Sequence, residues 1–265
     1  MSNIRITKLF TFETGHALYG YDGKCKNVHG HSYKLSVTVI GKPITAPGEV
    51  KLGMVIDFGD LKKVVKEELA AMDAESDRCA LELSDARVDV LGYACLVAIM
   101  AMGVGYHRQS EQRLTQHTQA NGADAPVITS AGALVDALHI MKAKRIALVA
   151  PYMRPLTELV VNYIAEEGFE VLDHIALEIP DNLDVARHNP DHLPEIVQGL
   201  NLDNVDVIVL SACVQMPSLS AIATVEAITG KPVVTAAVAT TYAMLKALGL
   251  APVVPGAGAL LSGAY

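Results

Sequence analysis

An internal repeat, in which an apolar strand ends in a cysteine, sets the strongest limit on the fold of this chain. The two copies are VDVLGYAC (88 to 95) and VDVIVLSAC (205 to 213). Each copy is followed later by Pro-Val-Ile-Thr or Pro-Val-Val-Thr and then by an Ala-rich stretch. A repeat of this length predicts two related lobes, and we expect a pseudo-twofold axis between them.

Short apolar runs rich in β-branched residues alternate with longer helical stretches through the repeat region. The predicted strands are 88–95, 126–129, 145–152, 205–213 and 232–238. This alternation is typical of βαβ units with parallel sheets. We therefore predict an α/β fold with two pseudo-symmetric lobes. Cys95 and Cys213 should end parallel strands and face each other across a cleft, where open sheets bind ligands.

Two thiols contributed by two lobes suit chemistry on both faces of a small planar substrate. A thiolate can attack a carbon atom, and a thiol can donate or accept a proton. An isolated cysteine is more often a buried apolar residue, and we interpret Cys79 in that way because it lacks the strand-end context. The repeated context favours a functional role for Cys95 and Cys213.

Composition excludes several classes of protein. The formal charge is −8 and no basic face is evident, which argues against a nucleic-acid partner. No apolar run approaches the roughly 18 to 20 residues of a membrane span. Residues 1–7 carry no signal-peptide pattern, and the four cysteines have no CxxC spacing, so we expect a cytoplasmic protein without a disulfide framework.

The C-terminal motifs resemble those of a known family. The matching segments are GYACLVAIMAMG (92 to 103), APYMRPLTELV (150 to 160), LEIPDNLDVARH (177 to 188) and LSACVQMPSL (210 to 219). From about Lys66 to the end, the chain resembles maleate cis-trans isomerase, of the Asp/Glu racemase superfamily. In that family a strand and a Ser/Asn/Thr-rich loop precede the helix that begins near Lys66, and this chain has no such loop.

The resemblance implies a reaction and a site. Cys95 matches the nucleophile that adds to an alkene carbon of maleate, and Cys213 matches the paired acid/base cysteine. Tyr152 and Asn182 match groups that position this small dicarboxylate substrate. Rotation within the covalent succinyl adduct, followed by elimination, would yield fumarate without a cofactor. The family also implies a homodimer.

The first 66 residues have a different pattern. Residues 5–14 and 32–41 alternate in the manner of two strands, and His16, His29 and His31 lie near the ends where these strands meet. His29 and His31 should project to the same side of an extended segment. With His16 they would give three imidazole ligands, which is a zinc site with an open fourth position.

This segment also resembles a family. FETGHALYGYDGKCKNVHGHSYKLSVTVIG (12 to 41) and GMVIDFGDLKK (53 to 63) are similar to 6-pyruvoyl- and 6-carboxy-tetrahydropterin synthases, whose fold is the tunnelling fold. The resemblance implies zinc ligands at His16, His29 and His31, and a catalytic proton-transfer base at Cys25. The family's second half is not recognisable beyond about Leu69.

The sequence therefore predicts two parts. Residues 1–66 form a tunnelling-fold-like hairpin fragment, and residues 67–265 form the two-lobe α/β region. Our main hypothesis is an isomerase that converts maleate to fumarate through a cysteine adduct. The alternatives are a zinc-dependent tetrahydropterin synthase-like lyase and an inactive recombinant of the two families.

Overall fold

The computed structural model of the protein describes residues 4–16, 29–45 and 73–265, and for 4–16 and 29–41 it describes the backbone alone. Cys25 lies outside the described residues, and so does the predicted boundary between residues 66 and 67. The two-part division of the chain therefore stays a prediction.

The N-terminal hairpin has the two strands that the sequence predicts, and both are longer than expected. Strand β1 is Ile4–His16 and β2 is His29–Gly41. They pair antiparallel from Ile4 opposite Gly41 to His16 opposite His29. Among the described residues, the two strands form a sheet of their own.

In its described part, residues 73–140, the N-terminal lobe contains two short parallel strands and four helices. Its elements are α1 (residues 73–84), β3 (Leu91–Tyr93), α2 (Leu96–Met100), α3 (Tyr106–Ala120), β4 (Val127–Thr129) and α4 (Ser130–Ile140). Within the part of the chain that the structure describes, β3 pairs with β4 alone.

The C-terminal lobe has a sheet of four parallel strands in the order β6, β5, β7, β8. Its elements are β5 (Arg145–Ala150), α5 (Arg154–Glu166), β6 (Glu170–Ala176), α6 (Asn182–Ala186), α7 (Leu193–Val197), β7 (Val207–Ser211), α8 (Ile222–Thr229), β8 (Val233–Thr235) and α9 (Ala236–Ala247). Short 3₁₀ turns occupy Pro190–His192, Leu219–Ala221 and Ala259–Leu261. The predicted α/β class with parallel sheets is confirmed.

The structure differs from the sequence prediction at two places in this lobe. Strand β6 is an additional strand, and residues 236–238 belong to α9 rather than to a strand. The strand ends at Thr235 because the Thr235 hydroxyl accepts the N–H of Val238 and caps α9. Thr129 caps α4 in the same way through the N–H of Gly132, so the repeat in sequence is also a repeat in local structure.

One apolar core serves both lobes. The residues of β7 are buried throughout, as are those of β5 after Arg145, which explains why both strands read as continuous apolar runs. The core also includes buried residues from α2, α4 and α9. Within the described ranges, no helix combines the length and apolar character that crossing a bilayer requires.

The two lobes differ in the width of their sheets. The repeat relates β3 and β4 to β7 and β8, and β7 is flanked by β5 as well as by β8. In residues 73–265, β3 has no strand in the position that β5 takes beside β7. The described hairpin does not fill this position, because β1 and β2 hydrogen-bond only to each other.

Candidate active site

Cys95 stands between β3 and α2, as the predicted strand-end position requires. Its backbone is extended, with φ −115° and ψ 90°, and it is the residue that precedes the first turn of α2. Cys95 is half-buried and packs against the common core. The first N–H groups of a helix have no partner within the helix, and they favour negative charge nearby. This position suits a thiolate.

A neutral aromatic hydroxyl neighbours this thiol. Burial raises the pKa of Tyr93 to about 12, and the nearby Cys95 adds to the rise, while a hydrogen bond with Ser76 opposes it. Tyr93 therefore remains protonated at physiological pH and adds no charge beside Cys95.

Cys213 follows the last residue of β7 by two positions and is only 7% exposed. The hydroxyl of Ser211 donates to the Cys213 carbonyl oxygen at 2.8 Å and accepts the Cys213 N–H at 3.2 Å. No helix begins at this point, because α8 starts only at Ile222. Cys213 is thus a buried thiol in a loop whose backbone is held by a side chain.

Tyr152 lies two residues after the end of β5 and is 9% exposed. Its hydroxyl donates to the carbonyl oxygen of Ala212 at 3.0 Å, next to Cys213. The hydroxyl oxygen retains lone pairs but has committed its proton. Tyr152 therefore supports the Cys213 loop in this structure, and the substrate-positioning role that the family resemblance implies stays a prediction.

Asn182 begins α6 and is half-buried. The preceding Asp181 caps this helix by accepting the N–H of Leu183 at 2.7 Å. The side-chain amide of Gln215 donates to the Asn182 carbonyl oxygen at 2.9 Å and so joins α6 to the loop that carries Cys213.

The structure thus brings three of the four predicted isomerase residues into one hydrogen-bonded assembly. Tyr152 and Asn182 are both tied to the loop that carries Cys213. Cys95, from the other lobe, borders the same apolar core. The opposition of the two thiols across a cleft stays a prediction.

Sequence reasoning missed Ser211 and Gln215. Aligning the two copies of the repeat places Ser211 opposite Tyr93 and Gln215 opposite Val97. In both pairs a polar residue in one copy replaces an aromatic or apolar residue in the other, and this difference could have indicated the two residues from the sequence.

The predicted zinc ligands lie in the hairpin, apart from the two cysteines in sequence. His16 is the Cα partner of His29, and His31 follows two residues later on the same strand. Residues directly opposite in an antiparallel pair share a face, as do residues two apart on one strand. The backbone register is therefore compatible with the three-histidine prediction, while the side chains lie outside the description. Within the described residues, no group of three or more His, Cys, Asp or Glu side chains could hold a metal ion.

Comparison with known proteins finds close relatives for the larger part of the chain. A maleate isomerase from Pseudomonas putida is 80% identical over 205 residues, which is 77% of this chain and 82% of that enzyme. The structure of a Pseudomonas putida maleate isomerase variant with maleate has a TM-score of 0.72 and 66% identity, covering 76% of this chain and 80% of that one.

A second solved structure bears on the chemistry. A cysteine-to-serine mutant of the Nocardia farcinica maleate cis-trans isomerase carries a covalently bound succinylcysteine intermediate. It has a TM-score of 0.70 and 46% identity, and it covers 74% of this chain and 80% of that one.

The N-terminal part has its own relatives. The family model for 6-pyruvoyl tetrahydropterin synthase matches residues 5–172. A 6-carboxy-5,6,7,8-tetrahydropterin synthase from Haemophilus influenzae is 49% identical over 63 residues, which is 24% of this chain and 43% of that enzyme. The direct likeness to this pterin enzyme thus spans less than half of its length.

Proposed function

This chain belongs to the maleate isomerase family and, through the match over residues 5–172, to the 6-pyruvoyl tetrahydropterin synthase family, and we propose that it converts maleate to fumarate. The observation that carries the proposal is the 80% identity over 205 residues to a maleate isomerase. The chain has strand-end cysteines in both lobes. The second observation is the succinylcysteine intermediate of the Nocardia farcinica relative.

In the proposed reaction, the sulfur of Cys95 adds to one alkene carbon of maleate. A new C–S bond forms, the double bond becomes single, and the other carbon takes a proton from Cys213. Rotation about this single bond is then fast. Removal of the proton by Cys213 and loss of the Cys95 sulfur restore the double bond in the trans form. The enzyme and its protons are returned unchanged, so no cofactor is consumed.

The structural difference between the two thiols supports this division of roles. Cys95 precedes the first turn of α2, where backbone N–H groups favour a thiolate. Cys213 is almost fully buried and no helix begins there. Burial disfavours the charged form of a thiol, which suits the proton-donating partner. Tyr152 and Asn182, which are tied to the Cys213 loop, would orient the substrate carboxylates.

The surroundings of the reaction follow from the same chemistry. Two catalytic thiols work only while reduced, which fits the cytoplasm. A small dicarboxylate is the substrate, and the active unit is a homodimer in this proposal. Size-exclusion chromatography with light scattering tests the oligomeric state.

The decisive experiment is proton NMR of maleate incubated with the purified protein. Fumarate should appear with the wild type and should fail to appear with Cys95→Ala and with Cys213→Ala. Cys79→Ala is the matched control, because Cys79 lies in α1 and burial raises the pKa of its thiol. This variant should keep its activity, and chelation by EDTA should have no effect.

Two outcomes would contradict the proposal. Fumarate formation by Cys95→Ala at the wild-type rate would exclude the cysteine adduct. No fumarate from a folded wild-type sample would mean that the two-stranded sheet beside Cys95 does not assemble a working site. The chain would then be an inactive recombinant of the two families.

A second candidate function rests on the hairpin, where the strand register aligns His16 with His29. Zinc held by His16, His29 and His31, with Cys25 as the base, would make the chain a tetrahydropterin synthase-like lyase. Zinc analysis of protein purified without chelator, repeated on His29→Ala, tests this site independently of maleate turnover. An equal zinc content in both samples would exclude it.

A further inference from the structure

The loop that carries Cys213 is fixed by one buried hydroxyl. Ser211 is fully buried, and its hydroxyl contacts both the carbonyl oxygen and the N–H of Cys213, at 2.8 Å and 3.2 Å. The bridge spans a single residue. It therefore fixes the backbone of Cys213 and with it the direction of the bond from Cα to Cβ.

The first copy of the repeat holds its cysteine differently. Its residue equivalent to Ser211 is Tyr93, and α2 begins directly after Cys95, so helical hydrogen bonds order the backbone there. After Cys213 the chain remains irregular until the 3₁₀ turn Leu219–Ala221. In the C-terminal lobe a side chain supplies the restraint that a helix supplies in the other lobe.

We propose that Ser211 is a positioning residue for Cys213, which it holds in the orientation needed to pass a proton to and from the substrate carbon. This inference rests on the proposed isomerase function. In this arrangement Cys213 passes the proton, while Cys95 acts as the nucleophile.

Proton transfer depends steeply on such geometry. The two heavy atoms must approach to about 2.6–3.2 Å, and a misplacement of about 1 Å can reduce a rate about 100-fold. Loss of the bridge in Ser211→Ala should therefore lower kcat about 10- to 100-fold while KM changes little. Ser211→Thr retains the hydroxyl and should restore most of kcat.

A matched control exists at the end of α8. The hydroxyl of Thr229 donates to the carbonyl oxygen of Val225 at 2.6 Å and accepts the N–H of Lys231 at 3.3 Å. Thr229→Ala removes the same kind of bridge away from the two cysteines. It should leave kcat at the wild-type value, even if both alanine variants lower the unfolding temperature.

Alkylation separates this inference from the proposed function. Iodoacetamide labelling of Cys213, followed peptide by peptide with mass spectrometry, needs no turnover. Ser211→Ala should label several-fold faster than wild type at Cys213, Ser211→Thr should return toward wild type, and Thr229→Ala should not differ from it. If the wild type forms no fumarate, the function fails, and the labelling rates still test the role of Ser211.

Two results would overturn the inference. One is a Ser211→Ala variant with unchanged kcat and unchanged labelling of Cys213. The other is a loss in Ser211→Ala that Thr229→Ala reproduces and Ser211→Thr does not repair, because that pattern belongs to general destabilisation.

Discussion

Gly132 occupies a helix position where alanine would ordinarily stabilise the protein, yet we expect Gly132→Ala to destabilise it. Gly132 lies near the start of α4. A Cβ placed there would overlap the carboxylate oxygen of Glu111 and stand 2.9 Å from the Thr129 hydroxyl and 3.1 Å from the His107 ring. The Glu111 carboxylate must move to admit it.

The carboxylate is not free to move without cost. It accepts the backbone N–H of Thr129 at 3.0 Å and the Thr129 hydroxyl at 2.9 Å. Thr129 is fully buried, so displacement of Glu111 leaves a buried N–H unpaired, which costs about 1–3 kcal/mol. Loss of the second bond to a charged group adds about 1.5–3 kcal/mol. Alanine has a helix propensity better than that of glycine by only about 0.5–1 kcal/mol, so the net loss of stability should be about 1.5–5.5 kcal/mol.

Urea unfolding of wild type and Gly132→Ala measures this difference. Gly92→Ala is the control, because a Cβ at Gly92 meets only the flexible side chain of Met244, with sulfur at 3.3 Å. Its change should stay within about 1 kcal/mol. The double variant Gly132→Ala/Glu111→Ala lacks the carboxylate that the new Cβ would overlap. Its loss of stability should therefore be smaller than the sum of the two single losses, by at least about 1 kcal/mol. A Gly132→Ala protein as stable as wild type would refute the reasoning.

Two pH-dependent effects follow from the ionisable groups. Hydrogen bonds from the Arg145 side chain and from the backbone N–H groups of Arg145 and Lys144 hold the pKa of Asp206 at about 2, below its ordinary 3.8. Asp206 therefore stabilises the fold above about pH 4 and loses this effect as the pH falls toward 2. At neutral pH, Asp206→Ala should lower the free energy of unfolding, measured in urea, by about 1 kcal/mol. This difference from wild type should vanish as the pH approaches about 2. Burial lowers the pKa of His107, whose ring contacts the Tyr163 hydroxyl, so the fold should lose stability as pH falls below about 6.5. The melting temperature of His107→Gln should depend less on pH over that range than the melting temperature of wild type. An equal pH dependence in both proteins would exclude His107 as the cause.

Much of the fold follows from local pattern. The repeated strand that ends in cysteine predicted two lobes with parallel sheets, because short β-branched runs between helical stretches have few other solutions. Strand β6 has no continuous apolar run that would predict it, because its residues are half-buried to exposed and include Asp173 and His174. Residues 236–238 looked like a strand because a short apolar run fits either structure, and the cap at Thr235 decides for helix.

The amino-acid order alone reveals the two family resemblances, the positions of Cys95 and Cys213 after equivalent strands, and the motifs that contain Tyr152 and Asn182. The contacts of these residues are visible only in the folded chain. The Tyr152 hydroxyl reaches the carbonyl of Ala212, 60 residues away, and Gln215 reaches Asn182, 33 residues away. In the described residues, the sheet of the N-terminal lobe has two strands and the sheet of the C-terminal lobe has four. Pattern within a segment fixes strands and helices, whereas partners distant in sequence are set by how those elements pack.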